Sequence, residues 1–164
     1  MDISPDTSRL RIFLDADACP VKEETYRVAA RYKLKVYVVA NSPIQVPRTP
    51  GITRIVVGTG PDIADDWIVE HAGRGAIVVT ADVPLASRCF KKGAEALAPT
   101  GKVFSDNSIG MAVATRNLMD QLRSAGQTTG GPPPFGPRDR SRFLSALDNV
   151  VTRLMRAGIE AEAL

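Results

Sequence analysis

Short apolar runs rich in β-branched residues alternate along the chain with segments whose apolar positions recur at helical spacing. The runs predict four strands and a short fifth, at 11–15, 35–40, 54–57, 76–80 and 94–98. The helical segments predict five helices, at 20–33, 61–73, 83–92, 108–124 and 139–157. Strands that are apolar on both faces and alternate with helices are typical of a parallel sheet covered on both sides. We therefore predict an α/β fold with a parallel, doubly wound sheet of four to five strands, helices on both faces and an additional C-terminal helix.

A segment dense in glycine and proline interrupts this pattern near the C-terminus. It cannot form a helix or a central strand, so we predict an α/β domain over 1–125, a loop over 126–138 and a C-terminal helical segment over 139–164. The last helix carries an apolar face and must pack on the same domain. Phe135, among the prolines, is expected to anchor the loop, and the residues after the last helix are expected to fray.

The overall composition excludes several classes of protein. Hydrophobic residues make up 44% of the chain and charged residues 24%, as in ordinary globular domains. No apolar run approaches the ~20 residues of a membrane-spanning helix, and the N-terminus lacks the apolar core of a signal peptide. The two cysteines are too few for a disulfide framework, and their spacing fits no zinc motif. We therefore expect a cytoplasmic protein that does not associate with membranes.

The net charge of +3 is unevenly distributed. Residues 1–83 contain 10 basic and 11 acidic side chains, whereas residues 84–164 contain 11 and 7. A basic surface beside acidic site residues suits a polyanionic ligand held by its phosphates. Each basic cluster also has a simpler interpretation, as the solvated face of a helix.

Carboxylates follow three of the predicted strands. Asp15 and Asp17 come directly after the first strand, and Asp82 follows the fourth. Asp62 and Asp65 lie in the first turns of the helix after the third strand, where they can share a face. Because parallel strands end at one edge of a sheet, where open α/β folds bind ligands, we predict that these groups converge there.

Each carboxylate also has a structural explanation, as a helix cap or as a partner of a helix dipole. Capping explains any one of them, but three strand ends together favour a cation site. Oxygen ligands without histidine are typical of Mg²⁺ or Mn²⁺, with water completing the coordination shell. His71, the only histidine, lies near a predicted helix end and is expected to make a surface or helix-dipole contact.

The sequence resembles a known family. Its motifs, in order along nearly the whole chain, look like those of the YaiI/YqxD family of uncharacterised bacterial proteins, which is similar in turn to PIN-like domains. The motifs are Asp15-Ala16-Asp17-Ala18-Cys19-Pro20, Gly60-Pro61-Asp62-Ile63-Ala64-Asp65, Thr80-Ala81-Asp82-Val83-Pro84-Leu85-Ala86, Gly130-Gly131-Pro132 and Asp139-Arg140 with Phe143.

Many PIN-like domains are metal-dependent nucleases that gather acidic residues at the carboxyl edge of a parallel sheet. The resemblance places four residues where that acidic cluster would be: Asp15, Asp62, Asp65 and Asp82. It places Asp17 and Thr80 beside the cluster and leaves Asp66 outside the motif. It implies the PIN-like fold.

The resulting functional hypothesis is a Mg²⁺- or Mn²⁺-dependent phosphodiesterase, with RNA favoured over DNA by analogy with PIN-like domains. The predicted catalytic residues are Asp15, Asp65 and Asp82, and the predicted metal ligands are Asp15, Asp17, Asp62, Asp65 and Asp82. Thr80, Arg138 and Arg140 are the predicted substrate-binding residues. The two arginines would be brought to the acidic edge by the loop; the alternative for them is a surface Arg–Asp network at the start of the last helix.

Two other functions fit parts of the pattern. Asp15-x-Asp17 after a strand also resembles haloacid-dehalogenase phosphatases, in which the first Asp is a nucleophile and the second an acid and base. Such an enzyme needs a lysine and a further acidic pair, and the fourth strand offers only Asp82. The third possibility is a non-catalytic nucleic-acid-binding module, which the low aromatic content (5%) disfavours as a base-stacking surface.

Overall fold

A computed structural model describes residues 3–17, 19–60, 62–126 and 134–164 of the chain. Its five strands are β1 (Arg11–Asp15), β2 (Val36–Ala40), β3 (Ile52–Val56), β4 (Ala76–Val79) and β5 (Glu95–Leu97). Its helices are α1 (Lys22–Tyr32), α2 (Ile63–His71), α3 (Val83–Lys91), α4 (Asp106–Ser124) and α5 (Pro137–Arg156). The predicted α/β architecture is confirmed, and every predicted element is present within a few residues of its predicted bounds.

The strands form one parallel sheet in the order β3-β2-β1-β4-β5. From the central β1 the chain builds outward through β2 and β3, then returns to the other side of β1 as β4. Strand order therefore reverses beside β1, and at such a switch point a crevice opens outside the carboxyl ends of the strands. Leu14 of β1 pairs with Val79 of β4, so the residues that follow the two strands lie side by side at this edge.

Helices cover both faces of the sheet, as a doubly wound fold requires. Alternate side chains of β1 show this: Ile12 and Leu14 pack with α1 and α5, whereas Phe13 packs with α2 and α3. Helix α5, which contributes the fully buried Phe143 and Leu147, is part of the main core on the first face. These buried side chains hold the helix on that face of the sheet.

Helix α4 is attached to the domain mainly at its start. Its first turn carries a capping box between Ser105 and Ser108, and Ile109 packs against a small cluster containing Phe104. None of its 19 residues is buried among the described residues.

The predicted fraying of the last residues is wrong. Ala161 forms a β-bridge with Leu10, and the buried Glu162 carboxylate accepts a hydrogen bond from Arg11 at 2.8 Å. The cause lies in β1, where the Arg11 side chain is completely buried and needs a counter-charge. The C-terminal tail supplies that charge.

Most of the predicted Gly/Pro loop, residues 127–133, lies outside the described residues. Phe135, which follows them, is half-buried and packs against the main core, where it was predicted to anchor the segment. Within the described ranges, no helix is long and apolar enough to cross a membrane.

Candidate functional site: an acidic cleft at the sheet edge

The site is built around Asp15, the last residue of β1. Its side chain is half-buried, and its Oδ2 accepts a hydrogen bond of 2.7 Å from the hydroxyl of Thr80. Thr80 follows β4 directly and is only 2% exposed. The same hydroxyl accepts a hydrogen bond of 3.0 Å from the backbone N–H of Asp82. Thr80 thus joins the ends of β1 and β4 and fixes the orientation of Asp15.

Asp82 faces the same edge from the start of α3. Its Oδ1 accepts a hydrogen bond of 3.0 Å from the backbone N–H of Leu85, so Asp82 caps the helix. Capping was the alternative explanation that the sequence offered for this carboxylate. The residue is exposed, and its second oxygen is not used by this cap. A single aspartate can therefore both begin the helix and offer an oxygen to the cleft.

Asp62 and Asp65 approach from the N-terminal end of α2. Asp62 is the residue that precedes the helix, and its φ of 67° lies in the left-handed region. Only two non-glycine residues in the described part of the chain have this conformation. It costs a non-glycine residue of order 1 kcal/mol, and such strain clusters at functional sites.

Asp17 is exposed beyond the end of β1 and accepts a hydrogen bond of 3.3 Å from the backbone N–H of Asn41. Asn41 follows β2, the other neighbour of β1, and its amide donates to the carbonyl oxygen of Gly58 at 3.4 Å. Asn41 thus ties the end of β2 to the loop that leads into α2. It closes the side of the site opposite Thr80.

These residues line one cleft of about 860 Å³, called here the acidic cleft. Five aspartates contribute to it: Asp15, Asp17, Asp62, Asp65 and Asp82. Its other described walls are formed by Cys19, Pro20, Asn41, Gly60, Thr80, Ala81, Ala98, Pro99, Thr100 and Phe135. The carboxylates that follow three of the strands thus line one cleft at the carboxyl edge of the sheet.

Burial and mutual repulsion disfavour the charged form of two of these carboxyls. Burial, partly offset by the Thr80 hydrogen bond and reinforced by the charges of Asp65, Asp17 and Asp82, raises the pKa of Asp15 to about 6. Burial and the charges of Asp82 and Asp62 also raise the pKa of Asp65. A cation in the cleft would relieve both effects, because an opposite charge favours the ionised carboxylate.

The donor set fits a hard cation. Carboxylate oxygens predominate, with the Asn41 amide beside them, and no histidine is among the described residues that line the cleft. Over the described ranges, no three acidic, thiol or imidazole groups are close enough together to enclose a metal ion by themselves. A cation at this edge would therefore have to bind through one or two carboxylates and keep several waters, as Mg²⁺ does in proteins.

The other predicted residues lie at the margin or outside. Arg138 is exposed at the start of α5. Arg140 donates to the backbone oxygen of Pro20 at 2.6 Å and to Glu24 at 3.2 Å, and its guanidinium lies over the ring of Phe135. It therefore borders the cleft, paired with Glu24. Asp66, outside the family motif, pairs with Arg88 on the exposed side of α2.

His71 lies in the last turn of α2, where its Nδ1 is 2.7 Å from the oxygen of Trp67 and its ring stacks on the indole. This is the contact at a helix end that its position predicted, away from the acidic cleft.

Asn41 and Thr100 are the two polar cleft residues that the sequence analysis missed. Asn41 could have been found, because it directly follows a buried strand next to β1, the same position that identifies Asp15 and Asp82. Thr100 carries no such signal, since it reaches the cleft through a turn after β5 whose path only the folded chain reveals.

A parallel α/β domain with a carboxylate cleft at its switch point defines the class of protein, and sequence comparison defines the family. The model of the uncharacterised YaiI/YqxD family matches residues 13–153, so the chain belongs to that family and the predicted resemblance is confirmed. The chain is 64% identical over 150 residues to a UPF0178 protein of Rhodopseudomonas palustris, covering 92% of this chain and 97% of the relative.

Two further relatives extend the match. A UPF0178 protein of Azorhizobium caulinodans is 61% identical over 149 residues, covering 91% of this chain and 94% of the relative. A UPF0178 protein of Brucella ovis is 57% identical over 162 residues, covering 98% and 99%. No solved structure matches the chain.

Proposed function

We propose that this protein is a Mg²⁺- or Mn²⁺-dependent phosphodiesterase that cleaves nucleic-acid strands, with RNA preferred. The observation that carries the proposal is the acidic cleft, in which five aspartates from three strand ends share one surface. Helix capping accounts for the position of Asp82 alone. It does not explain Asp15, whose charged form is disfavoured by burial at this position.

The residues divide the work according to their positions. Asp15, Asp65 and Asp82 all line the cleft, and one or two of them would bind the cation directly. The remaining carboxylates, with Asp17 and Asp62, would hold the water that the cation keeps. When bound, such a cation lowers the pKa of water and offsets the charge of the phosphate that is attacked. Thr80 orients Asp15 through its 2.7 Å hydrogen bond. Its hydroxyl is engaged on both sides, which favours a positioning role over direct substrate contact.

The phosphatase alternative lacks its key cation. A phosphoaspartyl mechanism at Asp15 would need a lysine in the cleft, and the described lining residues include neither lysine nor arginine. The preference for RNA over DNA rests on the likeness to PIN-like domains alone.

The test is cleavage of a fluorophore–quencher oligoribonucleotide in Mn²⁺, with EDTA as the metal-free control. Asp15→Asn and Asp82→Asn should each reduce the rate by about 10²-fold or more, since groups that merely orient metal ligands already contribute 10–100-fold. Asp66→Asn, prepared identically, should cleave like the wild type, because Asp66 pairs with Arg88 and is not among the residues that line the cleft. Full cleavage by Asp66→Asn beside lost cleavage in Asp15→Asn and Asp82→Asn would exclude a contaminating nuclease, which would act equally in all four preparations.

Three other outcomes reject the proposal in distinct ways. Binding of the oligoribonucleotide without cleavage in Mn²⁺ would identify a non-catalytic nucleic-acid-binding module. Release of phosphate from a chromogenic monoester, abolished in Asp15→Asn, would identify a phosphomonoesterase. Equal cleavage by the wild type and Asp15→Asn would place the activity elsewhere.

A further inference from the structure

A second depression adjoins the acidic cleft and has the opposite chemical character. Its volume is about 640 Å³, and Lys102 and Arg142 are its charged lining residues. The remaining walls are Thr100, Gly101, Ser141, Ser145, Ala146 and Asn149. No Asp or Glu is among the described residues that line it. We call this depression the basic groove.

The cleft and the groove are two parts of one surface, joined at Thr100. Thr100 lines both. The turn after β5 runs from Ala98 and Pro99 on the cleft side to Lys102 on the groove side, and it is closed by a hydrogen bond of 2.9 Å from the Ala98 N–H to the Lys102 oxygen. An extended ligand bound in the cleft could therefore continue over Thr100 into the groove and stay in contact with the protein surface.

The opposite wall is continuous in the same way. Phe135 lines the cleft just before α5, and Arg142 and Ser145 lie on the helix beyond it. Residues three and four apart share a helix face, so Ser141, Ser145 and Asn149 form one polar stripe with Arg142. Arg138, one turn earlier, lies at the spacing that extends this stripe towards Phe135.

The groove is rigidly built. Gly101 has a φ of +90°, and a Cβ at this position would lie 2.7 Å from the carbonyl carbon of Arg142. Only glycine allows the turn and α5 to approach so closely. Phe143, the neighbour of Arg142, is fully buried, which fixes the helix beneath the groove. Lys102 and Arg142 are thus presented from two anchored elements.

We infer that the basic groove binds the phosphate backbone of a nucleic-acid strand whose scissile phosphate lies in the acidic cleft. The inference rests on the proposed function and deepens it, because it makes the substrate a strand several nucleotides long. Five carboxylates repel a polyanion everywhere except at a bound cation, so the flanking phosphates need cationic contacts outside the cleft. Arg142 and Lys102 supply these contacts, with hydroxyl and amide groups beside them as further phosphate partners.

The experiment measures binding of a fluorescein-labelled oligouridylate of about a dozen nucleotides by anisotropy, in EDTA and in Mg²⁺, across a salt series. Removing two phosphate contacts from a single strand reduces the slope of log K against log salt by about 1.4 and weakens binding roughly 25-fold at 0.1 M salt. We expect this change in Lys102→Ala/Arg142→Ala. The matched control is Lys91→Ala/Arg116→Ala, which removes two exposed basic residues that do not line the groove. Circular dichroism verifies that both variants are folded.

Failure of the groove and failure of the catalytic proposal give different results. In one outcome, the wild type binds oligouridylate without cleaving it in Mn²⁺, while the groove variant loses affinity. That result would support the groove inference and reject the phosphodiesterase proposal. If the groove variant keeps the wild-type affinity and salt slope, or if the wild type binds no oligouridylate in either buffer, the groove inference is overturned. Cleavage of a dinucleotide, which has no phosphate besides the scissile one, should be the same in the wild type and the groove variant.

Discussion

At the scale of single residues, Asp15 couples the candidate chemistry to the stability of the fold. The pKa of Asp15 is about 6 in the folded protein, whereas that of an unperturbed Asp, taken here for the unfolded chain, is 3.8. The folded state therefore binds the proton more tightly than the unfolded state, so the contribution of this group to the free energy of unfolding is largest below pH 3.8. That contribution is lost as the pH rises through 6.

Asp15→Asn removes this pH dependence. In EDTA at pH 7 the variant should be more stable than the wild type by about 1–2 kcal/mol after solvent screening, and the difference should shrink towards pH 4. Urea unfolding at a series of pH values measures it. Asp66→Asn, at an exposed pair, should follow the wild-type curve. A pH-independent difference between Asp15→Asn and the wild type would refute the assigned titration.

Thr80→Val tests the link between β1 and β4 with little change in shape. The variant loses the donor to Asp15 and the acceptor for the Asp82 N–H, at an expected cost of about 1–3 kcal/mol in unfolding free energy. Because the hydroxyl lowers the pKa of Asp15, the valine variant should shift the pH profile of metal-dependent cleavage upwards. Thr80→Ser should restore both properties. A profile unchanged in Thr80→Val would reduce Thr80 to a packing residue.

Prediction from sequence succeeds at this scale wherever a residue directly follows a buried strand. Asp15 and Asp82 were identified in this way, and the same reasoning applied to β2 would have found Asn41. It fails for Thr100 and the basic groove, which depend on how closely the turn at Gly101 approaches Arg142 of α5, far along the chain.

At the scale of elements, the alternation of strands and helices was predictable because the central strands β1, β2 and β4 are buried on both faces, whereas a helix such as α5 buries only one. The C-terminal tail was not. Its attachment depends on Arg11. From the sequence, Arg11 is a polar residue at the start of a strand, yet in the fold it is 0% exposed. Local periodicity carries no information about a charge that is compensated from the other end of the chain.

The tail attachment makes a strong prediction about stability. Glu162 accepts hydrogen bonds from Arg11 at 2.8 Å and Tyr37 at 2.6 Å and pairs with Lys35 at 3.1 Å, and these partners hold its pKa below the usual range despite its burial. Glu162→Gln leaves Arg11 buried without a counter-charge, which should cost about 3–5 kcal/mol of unfolding free energy.

Glu160→Gln is the matched control, two residues away. Glu160 pairs with Arg9 at the surface, where both side chains are well exposed, so its loss should cost less than about 1 kcal/mol. Chemical denaturation of the two variants compares them directly. Similar costs for both would show that the buried pair is not the element that secures the tail.

At the scale of the whole molecule, cation binding should stabilise the fold through the acidic cleft. A ligand that binds only the folded state at one hundred times its Kd adds about 2.7 kcal/mol, which is ~5–10 °C in Tm for a chain of this size. We expect Mn²⁺ to produce such a shift in the wild type and in Asp66→Asn, and a much smaller one in Asp15→Asn. An identical Tm with and without saturating Mn²⁺ would contradict cation binding in the acidic cleft.

The pairing of Arg11 with Glu162 also constrains how the protein is made. The two residues are 151 positions apart, so a ribosome adding about 5–20 residues per second needs roughly 8–30 s between them. Until then the cationic side chain of Arg11 lacks the carboxylate that pairs with it in the fold, so we expect β1 to be less stable in its place at the centre of the sheet. A polypeptide interrupted shortly before its last helix ends would carry every residue of the acidic cleft and still lack the anion that lets β1 settle. We therefore expect chains that stop before Glu162 to be more sensitive to proteolysis than chains that include it.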